Sequence, residues 1–220
     1  MDKILLVDKP KGLTSFRVVE LIKKNFKVKA GHTGTLDPVA TGLLIILTGK
    51  RTKDASLFLK LDKTYEVKAL LGTETDTYDC EGKVLRQTDK EVTREELERV
   101  LDQFRGEIWQ TPPPFSAKKR QGKKAYQLAR KGVHLDIPPQ KVTVYSLELK
   151  EFHFPYFSFV CHVSSGFYVR SLVHDIGQKL GVGATVVEVR RTRVGPYQVE
   201  QAKTLDELLS RSDQVFPKTI

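Results

Sequence analysis

The chain has 220 residues, of which 40% are hydrophobic and 29% are charged. This composition supports one sizeable core or a domain with a small satellite, and no apolar run approaches the ~20 residues that a membrane-spanning helix needs, so we expect a cytoplasmic protein with no membrane association. The net charge of +10 and the sequence pI near 9.5 favour a polyanionic partner, most simply a nucleic acid, although basic charge alone is equally typical of a solvated surface.

The first half of the chain predicts both strands and helices. Ile4–Val7 is a short apolar run typical of a strand, and Ser15 is placed to cap a helix with apolar residues on one side, at Val18, Val19, Leu21 and Ile22. Leu43–Leu47 is continuously apolar, which predicts a buried strand. Tyr65–Gly72 alternates apolar and charged residues, which indicates a strand with one face in solvent.

The second half adds a helix that starts at a capping box, Thr93 with Glu96, and an irregular stretch at the consecutive prolines Pro112–Pro114. Further strands are predicted at Val142–Tyr145, Phe157–Val163 and Val186–Arg191, and further helices from about Tyr168 to Leu180, before Gly181, and from Thr204. Because hairpin-connected strands are more evident than regular βαβ units, this order predicts an α+β fold.

The stretch from Gly31 to Gly42 places one carboxylate in a loop bracketed by glycines. Gly31, Gly34 and Gly42 permit backbone angles and close approaches that a side chain would block, and Pro38 biases Asp37 toward an extended backbone. The apolar strand predicted directly afterwards would anchor the loop on a rigid element. We therefore expect Asp37 to be held for chemistry.

Six segments carry recognisable motifs, which are Leu6–Ser15 (DKPxGxxS), Gly31–Gly42 (GHTGxLDPxATG), Asp62–Tyr65 (DKxY), Phe115–Tyr126 (SAxKxxGxxxY), Ser165–Leu172 (GxYxRSL) and Arg190–Tyr197 (RRxxxGPY). In this order they resemble the motifs of the TruB family of tRNA pseudouridine synthases. A single motif would be weak evidence. The ordered set spans nearly the whole chain, so the resemblance is specific.

The resemblance implies the pseudouridine-synthase fold, a mixed and largely antiparallel central sheet flanked by helices, with a central RNA-binding cleft. It also implies isomerisation of a uridine in the T-loop of tRNA, at position 55, to pseudouridine, after the base is flipped out of the RNA. We expect the tRNA T arm as partner, a monomer, and no cofactor. Cys80 and Cys161 lack a CxxC spacing, so neither a disulfide framework nor a metal site is predicted.

Three residues match the family's catalytic positions. The resemblance implies that Asp37 acts as a nucleophile, at C1′ of the ribose or C6 of the base, or stabilises a glycal-like intermediate, and the sequence leaves these open. Tyr65 would stack on the uracil and move the proton at C5. Arg170 would pair with the catalytic carboxylate and orient it through a bidentate contact.

Four further residues match substrate-binding positions. His32 stands where the family places a histidine against the flipped nucleotide, and Tyr168 would line the pocket and orient its polar groups. Val189 lies where family members often have a leucine that closes the apolar side of the pocket. Lys9 would support the active-site loop or contact a phosphate.

The densest basic cluster is the best candidate for an RNA clamp, within a segment at about 111–135. Its members are Lys118, Lys119, Arg120, Lys123, Lys124, Arg130 and Lys131, of which the first five are the RNA-binding candidates. The cluster is expected to open a short helix that Gly132 ends. The alternative is a solvated basic helix. The charges and aromatic residues would also suit a non-catalytic RNA-binding or RNA-folding module.

The remaining classes fit the sequence less well. Gly49–Thr52 suggests a phosphate-binding loop, but the glycine spacing of a Walker motif is missing. A glycoside hydrolase would need a second carboxylate near Asp37, and none is evident. The resemblance implies one catalytic domain over residues 1–220. TruB proteins usually carry a PUA domain after it, which we expect to be absent or truncated here.

Overall fold

The computed structural model of the chain describes residues 2–114, 119–120, 123–124 and 138–210. The strands are β1 Ile4–Lys9, β2 Ala30–His32, β3 Thr41–Thr48, β4 Lys63–Leu71, β5 Thr73–Thr75, β6 Val84–Gln87, β7 Gly106–Gln110, β8 Lys119–Arg120, β9 Lys123–Lys124, β10 Gln140–His153, β11 Tyr156–Val163, β12 Ala184–Val194, β13 Tyr197–Gln198 and β14 Lys203–Thr204. The α-helices are α1 Ser15–Phe26, α2 Ala55–Leu59, α3 Arg94–Asp102, α4 Val169–Leu180 and α5 Leu205–Ser210. Short 3-10 helices cover Gly49–Asp54 and Val199–Gln201.

The chain forms two compact units. Unit 1 consists of Met1–Tyr65 and Arg190–Ile220, and unit 2 consists of Glu66–Val189. The chain therefore leaves unit 1 within β4 and returns to it within β12. The mixed α+β architecture predicted from the sequence is confirmed.

Unit 1 is built around β3, which is buried over nearly its whole length. Its strand order is β14–β1–β3–β12, with β1 antiparallel to β3 and β12 parallel to the first residues of β3. β2 pairs with the last residues of β3. A continuous apolar run is typical of a strand covered on both faces, and this explains why β3 occupies the centre of the unit. Its core includes Leu43, Ile45, Leu47, Phe58, Val194 and Val199.

Helix α1 follows β1 and buries its apolar face, as its spacing predicts. Val18, Val19 and Ile22 are buried, whereas Leu21 is only partly covered. The predicted cap is wrong by one residue. Thr14, not Ser15, is the N-cap, and its side chain accepts a hydrogen bond from Arg17 N at 3.0 Å.

Unit 2 has the strand order β12–β4–β11–β10–β7, and β10 is antiparallel to both neighbours. Helices α3 and α4 contact each other, and α3 contacts β10. The capping box at Thr93 is confirmed, and Gly181 ends α4 in the left-handed conformation that favours glycine. β10 and β12 extend beyond their predicted ends. In the described parts of the chain, no helix is long and apolar enough to cross a membrane.

Gly42 permits the close approach of β3 to β12 in unit 1. Its φ is +97°, and a Cβ there would lie 2.8 Å from Arg191 N and closer still to the Arg191 carbonyl oxygen. We predict that Gly42→Ala lowers the free energy of unfolding by at least about 2 kcal/mol, since the left-handed backbone and the collision both add to the cost. Gly31→Ala is the matched control because its Cβ would meet nothing within 4 Å. Urea unfolding of both variants measures the difference, and equal midpoints would contradict the prediction.

Candidate active site

Asp37 lies in the loop between β2 and β3, in unit 1, and is half-buried. Backbone hydrogen bonds hold the loop on its C-terminal side. Gly12 N donates to Pro38 O at 2.8 Å, and Ala40 N donates to the carbonyl oxygen of Asp37 at 3.1 Å. The first of these bonds ties the loop to the segment that precedes α1. The catalytic candidate is therefore carried by a fixed backbone.

The residue before Asp37 is held by a side chain. Ser15 Oγ accepts a hydrogen bond from Leu36 N at 2.8 Å and donates one to Leu36 O at 3.0 Å. Ser15 is 1% exposed, so water does not compete for these bonds. Both backbone polar groups of Leu36 are satisfied by one hydroxyl, a role different from the helix cap that the sequence predicts.

Arg191 closes the two ends of the same loop. Its Nη2 donates to Gly34 O at 3.2 Å and its Nε donates to Leu43 O at 2.8 Å. The residue is 2% exposed. The sequence places Arg191 in the Arg190–Tyr197 motif without assigning it a role, because its partners lie far away along the chain.

Lys9 is fully buried in unit 1 and lies within electrostatic reach of Asp37. Its Nζ donates to Pro10 O at 2.8 Å and to Leu13 O at 2.7 Å. Burial lowers the pKa of Lys9 to about 8, and the negative charge of Asp37 acts in the opposite direction. Burial disfavours contact of Lys9 with a phosphate, and its hydrogen bonds hold the turn before α1, which Gly12 in turn bonds to the Asp37 loop.

His32 and Tyr65 are the other predicted site residues in unit 1. His32 is the last residue of β2 and is half-buried, in register with Ile46 of β3. Tyr65 lies in β4 and is buried. Lys63 precedes it on the same face of β4, and burial lowers the pKa of Lys63 to about 8. The roles of His32 and Tyr65 on a flipped uridine stay predictions.

Arg170 lies in the first turn of α4, in unit 2, and is buried. Its Nη1 donates to Thr77 O at 2.8 Å and lies 3.6 Å from Asp79 Oδ2. Asp79 is itself oriented, because its Oδ1 accepts hydrogen bonds from Thr77 Oγ1 at 2.7 Å and Glu81 N at 3.1 Å. The predicted pairing of Arg170 with Asp37 stays a prediction.

The sequence does not single out Asp79. The only local signal is the Thr- and Asp-rich stretch Thr73–Asp79, which is typical of a hydrogen-bonded turn. That signal indicates a turn but not the helix against which the turn packs. The ion pair with Arg170 depends on the packing of α4 against this turn.

Tyr78 and His174 hold the same turn against α4. Their rings stack with centroids 3.8 Å apart and an interplanar angle of 10°. His174 lies four residues after Arg170, on the same face of α4. These two side chains therefore contact three consecutive residues, Thr77, Tyr78 and Asp79. Burial lowers the pKa of His174, while Glu74 acts in the opposite direction, and the imidazole is therefore mainly neutral at pH 7.

Tyr168 and Val189 are the remaining predicted pocket residues, and both belong to unit 2. Tyr168 is half-buried and precedes α4 as its N-cap. Its backbone is fixed by the fully buried Gln110, since Oε1 accepts from Tyr168 N at 2.7 Å and Nε2 donates to Tyr168 O at 3.0 Å. Val189 is buried in β12. Gln110 is a positioning residue that the sequence does not reveal.

The predicted RNA clamp lies mostly outside the described residues. Lys118 and most of the expected helix belong to that part. The backbone is described for the four residues Lys119, Arg120, Lys123 and Lys124, which form the antiparallel pair β8–β9. At these four positions two short antiparallel strands replace the predicted opening of a helix.

No group of three or more His, Cys, Asp or Glu side chains within residues 2–114 and 138–210 could hold a metal ion. Cys80 is exposed and Cys161 is buried, and no disulfide joins them.

Two family models match the chain in consecutive stretches. The model described as TruB family pseudouridylate synthase (N terminal domain) matches residues 22–169, and the model described as tRNA pseudouridylate synthase B C-terminal domain matches residues 170–215. The chain belongs to the TruB family of pseudouridylate synthases. The resemblance stated from the motifs is thereby confirmed.

Individual relatives agree with this membership. The tRNA pseudouridine synthase B of Aquifex aeolicus (strain VF5) is 53% identical over 218 residues, which cover 96% of this chain and 74% of the relative. The enzyme of the same name from Clostridium tetani (strain Massachusetts / E88) is 43% identical, with 98% and 75% covered.

A solved structure also matches. The crystal structure of a Cbf5-Nop10-Gar1 complex contains a chain that is 33% identical with a TM-score of 0.75, and the match covers 96% of this chain and 54% of that one. This TruB chain thus spans about half the length of the structural neighbour. The likeness confirms the predicted pseudouridine-synthase fold.

The buried ammonium of Lys9 makes stability depend on pH. Its pKa is about 8 in the folded chain and 10.5 in an unfolded one, so between these values the unfolded state binds more protons and folding becomes more favourable as pH rises. We predict that Lys9→Met reduces the rise in the free energy of unfolding between pH 8 and pH 10.5 by at most about 3 kcal/mol. Urea unfolding across that range measures the slope, with the exposed Lys11→Met as control. Identical slopes for the wild type and Lys9→Met would show the prediction to be wrong.

Proposed function

We propose that this chain isomerises a uridine in the T-loop of tRNA to pseudouridine, with Asp37 as the catalytic carboxylate. The observation that carries the proposal is the fixed Asp37 loop, whose sequence has the motif in which the TruB family holds its aspartate. Leu36 is bonded to Ser15, the first residue of α1, and Pro38 is bonded to Gly12, in the segment before α1. The named relatives act on tRNA according to their names, which supports tRNA as the substrate.

The reaction exchanges one glycosidic bond for another. The bond between uracil N1 and ribose C1′ breaks, the base turns, and C5 bonds to C1′, after which C5 loses its proton and N1 gains one. No second substrate contributes a group and the oxidation level does not change, so we expect the reaction to consume no co-substrate and to need no cofactor or metal. Asp37 acts on the sugar or the base, and the choice between C1′, C6 and a glycal-like intermediate stays open.

A uridine inside a folded T arm cannot reach Asp37 until it leaves its stack. Unstacking costs a few kcal/mol, which contacts in the pocket offset. We assign this stacking contact to Tyr65, which also moves the C5 proton, and assign contacts with the flipped nucleotide to His32, Tyr168 and Val189. A solved neighbour, described as an H/ACA RNP bound to a substrate RNA, is 31% identical to this chain with a TM-score of 0.72, which supports RNA binding by this fold.

Arg170 is the cation that we assign to the catalytic carboxylate. Its hydrogen bond to Thr77 O and its ion pair with Asp79 hold the guanidinium in one orientation. An arginine that is already oriented loses little side-chain entropy when it pairs with a second carboxylate. Asp79 therefore acts through Arg170, as a positioning residue.

The decisive test of the proposed function uses an unmodified tRNA transcript without added metal or nucleotide. We predict conversion of the T-loop uridine by the wild-type chain, detected by mass spectrometry after a uridine-specific derivatisation. A T-arm stem-loop should also be converted. Asp37→Ala should abolish turnover and leave RNA affinity within a few-fold, because the carboxylate offers no attraction to phosphate.

These measurements distinguish an isomerase from a non-catalytic RNA-binding protein and also test recognition of the T arm. Loss of turnover with retained binding in Asp37→Ala fits an isomerase. If the wild-type chain binds tRNA but forms no product even at stoichiometric amounts of protein, the protein is an RNA-binding or RNA-folding module and not an isomerase. Equal rates on an unstructured uridine oligomer would contradict recognition of the T arm.

The clamp has a separate test. Replacing Lys118, Lys119, Lys123 and Lys124 with Ala should weaken binding to both tRNA and the T-arm stem-loop, and the slope of log affinity against log salt should fall by roughly 0.7 to 0.9 for each phosphate that the variant no longer neutralises. Turnover at saturating RNA should largely recover. The matched control replaces four exposed lysines elsewhere in unit 2, Lys68, Lys83, Lys90 and Lys150. If the clamp variant keeps the wild-type slope, the segment is a solvated surface, and an equal fall of the slope in the control would show that only net charge matters.

A further inference from the structure

The net charge of the chain is unevenly divided between the two units. Unit 1 carries about twice as many basic as acidic residues and holds nearly all of the +10, whereas the two signs almost balance in unit 2. Asp37 lies in the basic unit. The clamp segment, however, belongs to unit 2, so it does not account for the charge of unit 1.

Much of this charge collects at one end of α1. The last turn of α1 and the residues after it supply Lys23, Lys24, Lys27 and Lys29, and the 3-10 helix after β3 supplies Lys50, Arg51 and Lys53. The fold brings these segments together, since β2 pairs with the end of β3 and Gly49 N donates to Lys29 O at 2.8 Å. We call these seven residues the α1-end cluster.

The α1-end cluster is exposed and poorly neutralised. Arg51 pairs with Asp54 at 3.2 Å, and the Asp2 carboxylate accepts a hydrogen bond from Lys50 N at 2.7 Å. Within the described residues, none of the six lysines has a carboxylate within ion-pair distance. Seven cations on a small surface repel one another and attract polyanions.

Helix stability explains only part of this arrangement. Lys23 and Lys24 are favourable near the carbonyl end of α1. That effect does not extend to the 3-10 helix. Lys27 even adopts a left-handed backbone with φ of 50°, at a position where glycine or asparagine is normally preferred. The chain therefore places cations here at some cost to folding.

The α1-end cluster is distant from Asp37 within unit 1. Ser15 ties the start of α1 to the Asp37 loop, and the cluster begins in the last turn of this twelve-residue helix, roughly 12 to 18 Å away along its axis. The eight residues of β3 likewise separate the loop from Gly49, by roughly 26 Å. Lys29 lies nearest the site, because it precedes His32 by three extended residues, roughly 10 Å. Phosphates at the rest of the cluster would belong to RNA farther from the reacting nucleotide.

We propose that the α1-end cluster binds backbone phosphates of the tRNA outside its T arm. The proposal rests on tRNA being the substrate and extends it from the T arm to the body of the molecule. The recognised chemistry is the phosphodiester backbone, read without base contacts. The α1-end cluster thus adds affinity for whole tRNA that a T-arm stem-loop does not receive.

The test compares two RNAs with two matched variants. The first variant replaces Lys27, Lys29, Lys50 and Lys53 with Ala, and the control replaces Lys68, Lys83, Lys90 and Lys150, so both change the net charge equally. We expect the first variant to bind unmodified tRNA at least about tenfold more weakly at 0.1 M salt, with a salt slope reduced by roughly 3 to 4. Its affinity for the T-arm stem-loop should equal that of the wild type.

Other results would overturn the inference. Equal losses of affinity on tRNA and the stem-loop would assign the α1-end cluster to the T arm, and unchanged tRNA binding would make it a solvated surface. If the control variant loses as much tRNA affinity as the first variant, the loss comes from the change in net charge and not from the α1-end cluster. Turnover of the stem-loop, measured in parallel, distinguishes these failures from failure of the proposed function, in which even the wild type forms no pseudouridine.

Discussion

The buried guanidinium of Arg191 is the contact on which the Asp37 loop depends. It bonds a carbonyl before Asp37, on Gly34, and one after the loop, on Leu43. Its own backbone pairs with Gly42 in the sheet of unit 1. A buried charge that loses its partners costs several kcal/mol, so the loop cannot open at either end without disturbing the sheet. The shape of the loop and the pairing of β3 with β12 are therefore coupled.

Unit 2 uses a comparable device around Arg170. Two residues of α4, one turn apart, hold the turn at residues 77–79 through an ion pair and a ring stack. Tyr78 has a φ of 64°, which is uncommon for an aromatic residue. The stack on His174 offsets the cost of that backbone. Helix α4 thus fixes both the cation and the turn that orients it.

Local patterns predicted much of the fold. Apolar periodicity located β1, α1, β3 and β4, and the capping box located the start of α3, because each depends on residues within a few positions of one another. The motif set located Asp37 and its loop. The helix cap shows the limit, since Thr14 and Ser15 are adjacent hydroxyl residues and only the bond to Leu36 distinguishes them.

The contacts that orient the site are long-range, and the sequence has no signal for them. Arg191 bonds a carbonyl 148 residues away, and Arg170 bonds one 93 residues away. Asp79, Gln110 and His174 have ordinary surroundings in the sequence, and their partners become evident only after strands and helices are packed. The composition likewise shows the net charge of the chain, but it does not show that basic residues cluster at one end of α1.

The hydroxyl of Ser15 orders the Asp37 loop during folding, before any RNA binds. One oxygen bonds both polar groups of Leu36, so the peptide planes on either side of that residue cannot rotate independently. The direction of the next residue, Asp37, is therefore set while the chain folds. Because the loop has already lost this conformational entropy on folding, nucleotide binding does not have to order it. Binding energy from the RNA remains available for extracting the base from its stack.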